Sequence, residues 1–328
     1  MEQKNNIVHG VAFGKLYLAG EYAILEDYSK ALLTSVPQKI VTTVEPSEKT
    51  TIFDTLHNIT VDLYEDNKNF TMIQQFILFL NKYTNSEKTY SIKIYNELHS
   101  NNKKYGLGSS GAVLVSIAKA ILTFEKIPFD NETIFKLVTL YNLTHNISGS
   151  MGDVAASLNE GLTFYQKFNA SKLNYIISKD DIKEIINSPW DGLIIKPIYP
   201  KAKITIFARW TGEVVDTKEH VKLWKENKEN YSTEYVTFVS TSNKLVEQLV
   251  DELESGNESF VLNTINKLRE NLHYLESFSN IPMETAAMKN YIASYPAGKQ
   301  SGSGSGDIVL GFNRSNDKFQ LQLNLEQL

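Results

Sequence analysis

The chain has 328 residues, 42% of them hydrophobic, a formal net charge of −5 and no cysteine. A single core rarely grows beyond roughly 250 to 300 residues, so the length predicts two packed domains with a cleft between them, and the apolar content excludes a disordered or fibrous chain. The acidic balance, with no Lys/Arg run, argues against nucleic acid or an anionic membrane as a partner, and the lack of cysteine excludes disulfides, thiolate catalysis and cysteine zinc sites.

Residues 7–26 and 31–44, rich in apolar and β-branched side chains, read as strands punctuated by Gly10, Gly14 and Gly20. Thr71 stands where a cap would, ahead of a helix with Met72, Ile73, Phe76, Ile77 and Leu80 at helical spacing. Residues 90–95 alternate as a strand, residues 100–104 form a polar loop, and a glycine-rich turn then runs into a breaker-free helix over 112–124. Pro128 and Asp130 precede a helix reaching about His145, residues 148–153 make a small-residue turn, and 161–168 read as a strand. Two prolines within residues 190–203 place a domain boundary near 200, giving domains over 1–199 and 200–328. Beyond it the chain predicts a strand over 204–209, three helical stretches between 218 and 295, a Gly/Ser loop over 301–306, and strands over 308–312 and 319–323. The start of the chain, residues 1–6, has no apolar signal-peptide centre, and no apolar run approaches the roughly 20 residues of a membrane span, so a cytoplasmic location is expected.

Four stretches carry chemistry. In Lys104-Tyr-Gly106-Leu107-Gly108-Ser109-Ser110-Gly111-Ala112 a glycine turn enters a helix, which lets backbone N–H groups and the positive helix end meet phosphate oxygens, with a serine hydroxyl at hand for magnesium. The same glycines satisfy a dinucleotide fingerprint and, with Val113, a protein-kinase loop. The first would follow a strand directly and the second would need His-Arg-Asp and Asp-Phe-Gly downstream, and neither condition is met. In Gly14-Lys15-Leu-Tyr-Leu-Ala-Gly20-Glu21-Tyr22-Ala23, Lys15 sits among apolar neighbours and needs an anionic partner or a route to water. Ser148-Gly-Ser150-Met-Gly-Asp153 puts a carboxylate on a tight turn, as a base, a magnesium ligand, a lysine partner or a helix cap. Ser301-Gly302-Ser303-Gly304-Ser305-Gly306-Asp307 leads into a strand, and so reads as a backbone cradle rather than a linker. The six histidines, His9, His57, His99, His145, His220 and His273, have no metal-ligand spacing, and no Gly-x-Ser-x-Gly elbow supports a serine hydrolase.

Taken in order, these stretches resemble the successive motifs of the GHMP superfamily of small-molecule kinases, across nearly the whole chain. The resemblance implies an α+β, two-domain fold: an N-terminal ATP-binding domain like domain 2 of ribosomal protein S5 and a C-terminal, ferredoxin-like α/β sandwich. It implies ATP and Mg²⁺ as cofactors, with Lys104, Gly106, Leu107, Gly108, Ser109, Ser110, Gly111 and Ala112 at the nucleotide and Ser110 at the metal. Lys15 and Asp153 match the catalytic lysine and aspartate, and Lys15, Tyr22, Ser150, Ser301, Gly302, Ser303 and Gly304 the acceptor site. The spellings Gly20-Glu-Tyr-Ala-Ile-Leu25 and Trp210-Thr-Gly212 look most like the branch whose acceptor is itself a phosphate ester. A sibling with a hydroxyl acceptor and a silent nucleotide-binding regulator are the alternatives. A small-molecule substrate, no nucleic acid or membrane partner, and a monomer or homodimer are expected. Two departures bear on acceptor fit: Ser303 and Ser305 stand where Ala or Gly is usual, and Asp216 stands where a small hydroxyl residue is usual and would repel a phosphorylated acceptor.

Overall fold

The computed structural model describes residues 7–100, 103–147, 149–178, 181–213, 217–228 and 230–328; Ser148 and Asp216 lie outside the described residues. The chain opens with β1 (Val8–Ala19) and a single 3₁₀ turn at Ala23–Leu25. β2 (Lys30–Pro46), β3 (Thr51–Asp54) and β4 (Ile59–Asp62) lead to α1 (Thr71–Thr84), which buries Ile73, Phe76, Ile77 and Leu80 as their spacing requires. Thr71 is not the cap: it is the first helical residue, and its hydroxyl donates to the Asn67 carbonyl at 3.2 Å. After β5 (Tyr90–Asn96), the expected polar loop carries a minimal hairpin, β6 (His99–Ser100) with β7 (Lys103–Lys104).

α2 (Ser109–Phe124) begins inside the glycine-rich motif and is buried along nearly its whole length. α3 (Asn131–Thr144) starts where the Asp130 carboxylate accepts from the Thr133 amide at 2.7 Å. Then come α4 (Gly152–Ser157), β8 (Leu162–Gln166), α5 (Ala170–Ile177), α6 (Ile182–Asn187) and β9 (Ile194–Ile198). β9 tolerates Pro197 because it is an edge strand. After β10 (Ile204–Trp210) four helices follow rather than three: α7 (Thr217–Lys228), α8 (Ser232–Ser255), α9 (Glu258–Ser279) and α10 (Ala286–Ile292). The extra one starts where the Thr285 hydroxyl accepts from the Met288 amide at 3.3 Å, a cap placed shortly after Pro282. β11 (Ala297–Ser301), β12 (Ile308–Arg314) and β13 (Gln320–Asn324) close the chain.

These elements form two compact units that interleave in sequence. The first takes the chain up to Lys15, Pro37–Glu160 and Ala170–Asp191; the second takes Leu16–Val36, Gly161–Asn169 and Gly192–Leu328. The units therefore do not follow a linear division at 199/200. The reason is the hydrogen-bonded ladder of the second unit, in which Lys30–Thr34 pairs with β8 and β8 pairs with β9, drawing early residues into the later unit.

In the first unit β4, β3, β5 and the second half of β2 lie side by side, β3 and β5 parallel and the other pairs antiparallel. α2 packs against α1, α3 and α4. The second unit has a further sheet in the order β11-β12-β10-β13, with β10 and β13 parallel, and α9 lies against α8 and β11. Helices and sheets are thus mixed in each unit, the α+β class expected. Among the described residues, no helix is long and apolar enough to cross a membrane.

Candidate active site

The glycine-rich turn of the first unit is shaped for close approach. Gly108 immediately precedes α2 at φ +77°, a conformation that β-carbons disfavour, and offers no side-chain cap. The first-turn amides of α2 therefore receive no cap from Gly108, at the positive end of a 16-residue helix. A β-carbon on Gly108 would stand 2.9 Å from Lys15 Cγ and 3.3 Å from Asp153 Cβ, so its absence is what lets both side chains approach the loop.

Lys15 is the last residue of β1 within this unit, and it is stitched to the loop twice. Its amide donates to the Leu107 carbonyl at 2.9 Å and its ammonium donates to the Gly106 carbonyl at 2.9 Å. Asp153 comes from the first turn of α4, after Met151 takes a left-handed conformation at φ +61° and the Ser150 hydroxyl accepts from the Gly152 amide at 3.2 Å. It is not the cap of that helix; the turn aims it at α2. A β-carbon on Gly111 would lie 2.7 Å from Asp153 Oδ2, so the carboxylate rests against the first turn of α2, beside the exposed Ser110. Burial pushes the Asp153 carboxyl above the usual aspartate range, while the Lys15 charge and the amides of Val154 and Asp153 pull it back. The residue still keeps part of its surface open.

A second lysine braces this arrangement and was not legible as part of the site. Lys119, on α2, donates to the Val11 carbonyl of β1 at 3.0 Å and to the Leu158 carbonyl just after α4 at 2.6 Å. It thus joins the elements that carry Lys15, the glycine loop and Asp153. Burial lowers its ammonium to about 8. A lysine inside an apolar helix gives no sequence sign of which carbonyls it will meet.

Lys104 pairs through its backbone with His99 in the hairpin ahead of the loop, and the Ser109 hydroxyl lies 3.4 Å from His99 Nε2. Among the described residues no cluster of three or more His, Asp or Glu could hold a metal alone. Mg²⁺ does not ask for one: it is usually held by phosphate oxygens and one or two protein oxygens. The Ser110 hydroxyl and the Asp153 carboxylate are such oxygens, on adjoining turns, so the residues fit the ion.

The second unit brings its own predicted residues together. The Tyr17 amide donates to the Ser301 hydroxyl at 2.8 Å, the Tyr22 hydroxyl donates to the Ser303 carbonyl, and Lys299 forms a buried ion pair with Glu21. Ser305, one of the two unusual serines, donates its hydroxyl to the Pro282 carbonyl at 2.8 Å and its amide to the Met283 carbonyl at 2.8 Å. Its side chain is therefore spent on bracing the loop. Ser303 differs: its hydroxyl is buried without a protein partner among the described residues.

Residues 71–161 match the family model described as the GHMP kinases N terminal domain. The chain is 26% identical to phosphomevalonate kinase of Streptomyces sp. (strain CL190), over 90% of this chain and 86% of that protein. Among solved structures, Streptococcus pneumoniae phosphomevalonate kinase in complex with phosphomevalonate and AMPPNP superposes with a TM-score of 0.82 at 28% identity, covering 93% and 92% of the two chains. A Lin0012 protein from Listeria innocua superposes with a TM-score of 0.86 at 27% identity, covering 95% and 91%. The fold is that of a GHMP kinase.

The stretch matched as GHMP kinase N-terminal domain contains the loop from Gly106 to Ala112 and the turn from Ser150 to Asp153. Lys15, Tyr22 and the loop from Ser301 to Gly304 lie outside it in sequence. Within the first unit, tertiary structure brings Lys15 to the matched elements.

Proposed function

We propose that this GHMP kinase is a phosphomevalonate kinase, transferring the γ-phosphoryl group of ATP to 5-phosphomevalonate to give 5-diphosphomevalonate and ADP in the mevalonate route to isoprenoids. The observation that carries the reading is the meeting of Lys15 and Asp153 over Gly108 and Gly111 at the uncapped start of α2. It is supported by phosphomevalonate kinases similar over about nine-tenths of this chain. A cytoplasmic setting belongs to the same proposal.

In this reading the residues from Gly106 to Ala112, with Lys104, hold the ATP phosphates through backbone amides and charge. Bound Mg²⁺ would neutralise phosphate charge, with Ser110 and Asp153 as its protein oxygens. Lys15 faces the transferred group, fixed by its bond to the Gly106 carbonyl. An oxygen of the acceptor phosphate attacks the γ-phosphorus as the bond to the β-phosphate oxygen breaks, and ADP leaves with that electron pair. The second pKa of a phosphate ester is about 6, so near neutral pH the acceptor oxygen carries no proton to remove. Asp153 then orients Lys15 and the metal rather than acting as a base. In the second unit, Tyr22, Ser301, Gly302, Ser303 and Gly304 are the proposed acceptor-binding residues.

One observation favours a second reading. An aspartate raised by burial is a better base, and a hydroxyl acceptor such as mevalonate would use one. ADP release with Mg-ATP and either mevalonate, 5-phosphomevalonate or no acceptor separates the two. Release with 5-phosphomevalonate alone is expected; release with mevalonate alone would move the assignment to mevalonate kinase.

A further inference from the structure

The glycine–serine loop of the second unit is pinned at both ends by side chains already described, Ser301 to the Tyr17 amide and Ser305 to the Pro282 carbonyl. Its centre has less to hold it. Gly302 and Gly304, at φ +89° and +80°, carry no side chain to fix them, and a β-carbon on Gly302 would meet open space. Between them the Ser303 carbonyl is gripped by two donors from distant parts of the sequence. The Tyr22 hydroxyl donates to it, and His220 Nδ1, from α7, lies 3.1 Å from it and 3.2 Å from the Tyr22 hydroxyl. Tyr22 has one proton and gives it to the carbonyl, so the proton between His220 and these two oxygens sits on Nδ1. The neutral Nδ1–H tautomer and the imidazolium both supply it.

The two donors are held rigidly. Tyr22 takes a positive φ of +59°, uncommon for a residue with a β-carbon, and is buried in a cluster with Trp224, Tyr235 and Phe238. Its ring stacks on Trp224 at 5.8 Å, and Trp224 lies one helical turn after His220 on α7. Burial pushes the Tyr22 phenol far above its ordinary range, so it remains a donor. α7 thus uses one face for both tasks: Trp224 seats the tyrosine and His220 completes the grip.

We propose that His220 is a positioning residue that, with Tyr22, latches the Ser303 carbonyl and sets the shape in which the loop receives the acceptor. The acceptor half of this inference rests on the functional reading above; the latch does not. No sequence motif marks His220.

The test compares wild type with His220→Leu, which removes the donor, and His220→Asn, which restores an N–H near the Nδ1 position. Amide hydrogen exchange of a peptide spanning residues 301–306, measured without ligands, is expected to quicken roughly tenfold in H220L and to return to within about threefold of wild type in H220N. In steady-state assays the KM for 5-phosphomevalonate is expected to rise by about the same factor in H220L, with the KM for ATP within about twofold and recovery in H220N. Unchanged loop exchange in H220L overturns the latch. Faster exchange with an unchanged acceptor KM, or with both KM values rising alike, overturns the specificity role. If wild type leaves 5-phosphomevalonate untouched while loop exchange responds as stated, the functional reading fails and the latch stands. Should H220L lose its cooperative melting transition, Tyr22→Phe removes the other donor from the same carbonyl and is read the same way.

Discussion

Asp153 Oδ2 rests against Gly111 so closely that a β-carbon there would stand only 2.7 Å away, which makes glycine at this helical position a requirement of the carboxylate's placement. Gly111→Ala should therefore displace the carboxylate by a few tenths of an ångström or more while favouring the helix intrinsically. We expect a folded protein whose kcat falls on the order of 10- to 100-fold, since misplacement on the scale of an ångström costs that much. Steady-state kinetics beside a thermal melt checks both halves; wild-type turnover would show that the carboxylate's position is immaterial.

Lys15→Met and Asp153→Asn should each lower kcat by roughly 100- to 1,000-fold, the scale of removing one preorganised charge from a transferring group. They should differ in stability. Burial raises the Asp153 carboxyl, so the folded state holds its proton more tightly than the unfolded state, and stability falls as pH rises through the window above the ordinary aspartate range. D153N removes that cost. Its melting temperature should exceed wild type at pH 7, with the advantage shrinking as the pH drops below the window.

Lys119 supplies a pH prediction of the opposite sign. Its folded value of about 8 lies below that of an ordinary lysine, so between about 8 and the ordinary range near 10.5 the unfolded chain binds more protons and stability rises with pH. The difference in unfolding free energy between wild type and Lys119→Met should be flat below pH 7.5 and increase from pH 8 to 10, measured by urea titration. A flat difference throughout would mean that the ammonium is better hydrated than its surroundings suggest. K119M should also lower kcat, because Val11 and Leu158 lose a common partner.

The Glu21–Lys299 pair is almost wholly buried, with side chains 2% and 0% exposed, and Lys299 also donates to the Gln300 carbonyl at 2.7 Å. Removing one partner leaves an uncompensated buried charge. Lys299→Met should destabilise the protein by about 3 to 5 kcal/mol, and the double variant Glu21→Gln with Lys299→Met by much less than the sum of the singles. Urea denaturation of the four proteins closes the cycle; additivity would show that the two charges do not interact.

Local pattern carried much of this protein in its sequence. Apolar spacing and helix-start chemistry located α1, α2 and α3, and the glycine spelling from Gly106 to Gly111 marked a turn of positive φ running into a helix, because these features depend on residues within a few positions of one another. The catalytic roles expected of Lys15 and Asp153 came from the resemblance of their motifs to a family. Less was legible where function hangs on one long-range contact. The sequence left Asp153 as base, ligand, lysine partner or cap, and the left-handed turn at Met151 decided that it faces Gly111. It left Ser305 as a doubt about acceptor fit, and the Pro282 carbonyl accounts for that hydroxyl.

The sequence by itself determined where the backbone is free to turn tightly and which residue types stand beside those turns, since conformational freedom and side-chain chemistry are properties of single residues and their neighbours. Only the tertiary structure decided that Lys119 braces β1 and α4, that Lys299 neutralises Glu21, and that His220 reaches the Ser303 carbonyl. Each of these is a polar group whose burial is tolerable only with a partner, and the partner is brought in by packing from tens to hundreds of residues away.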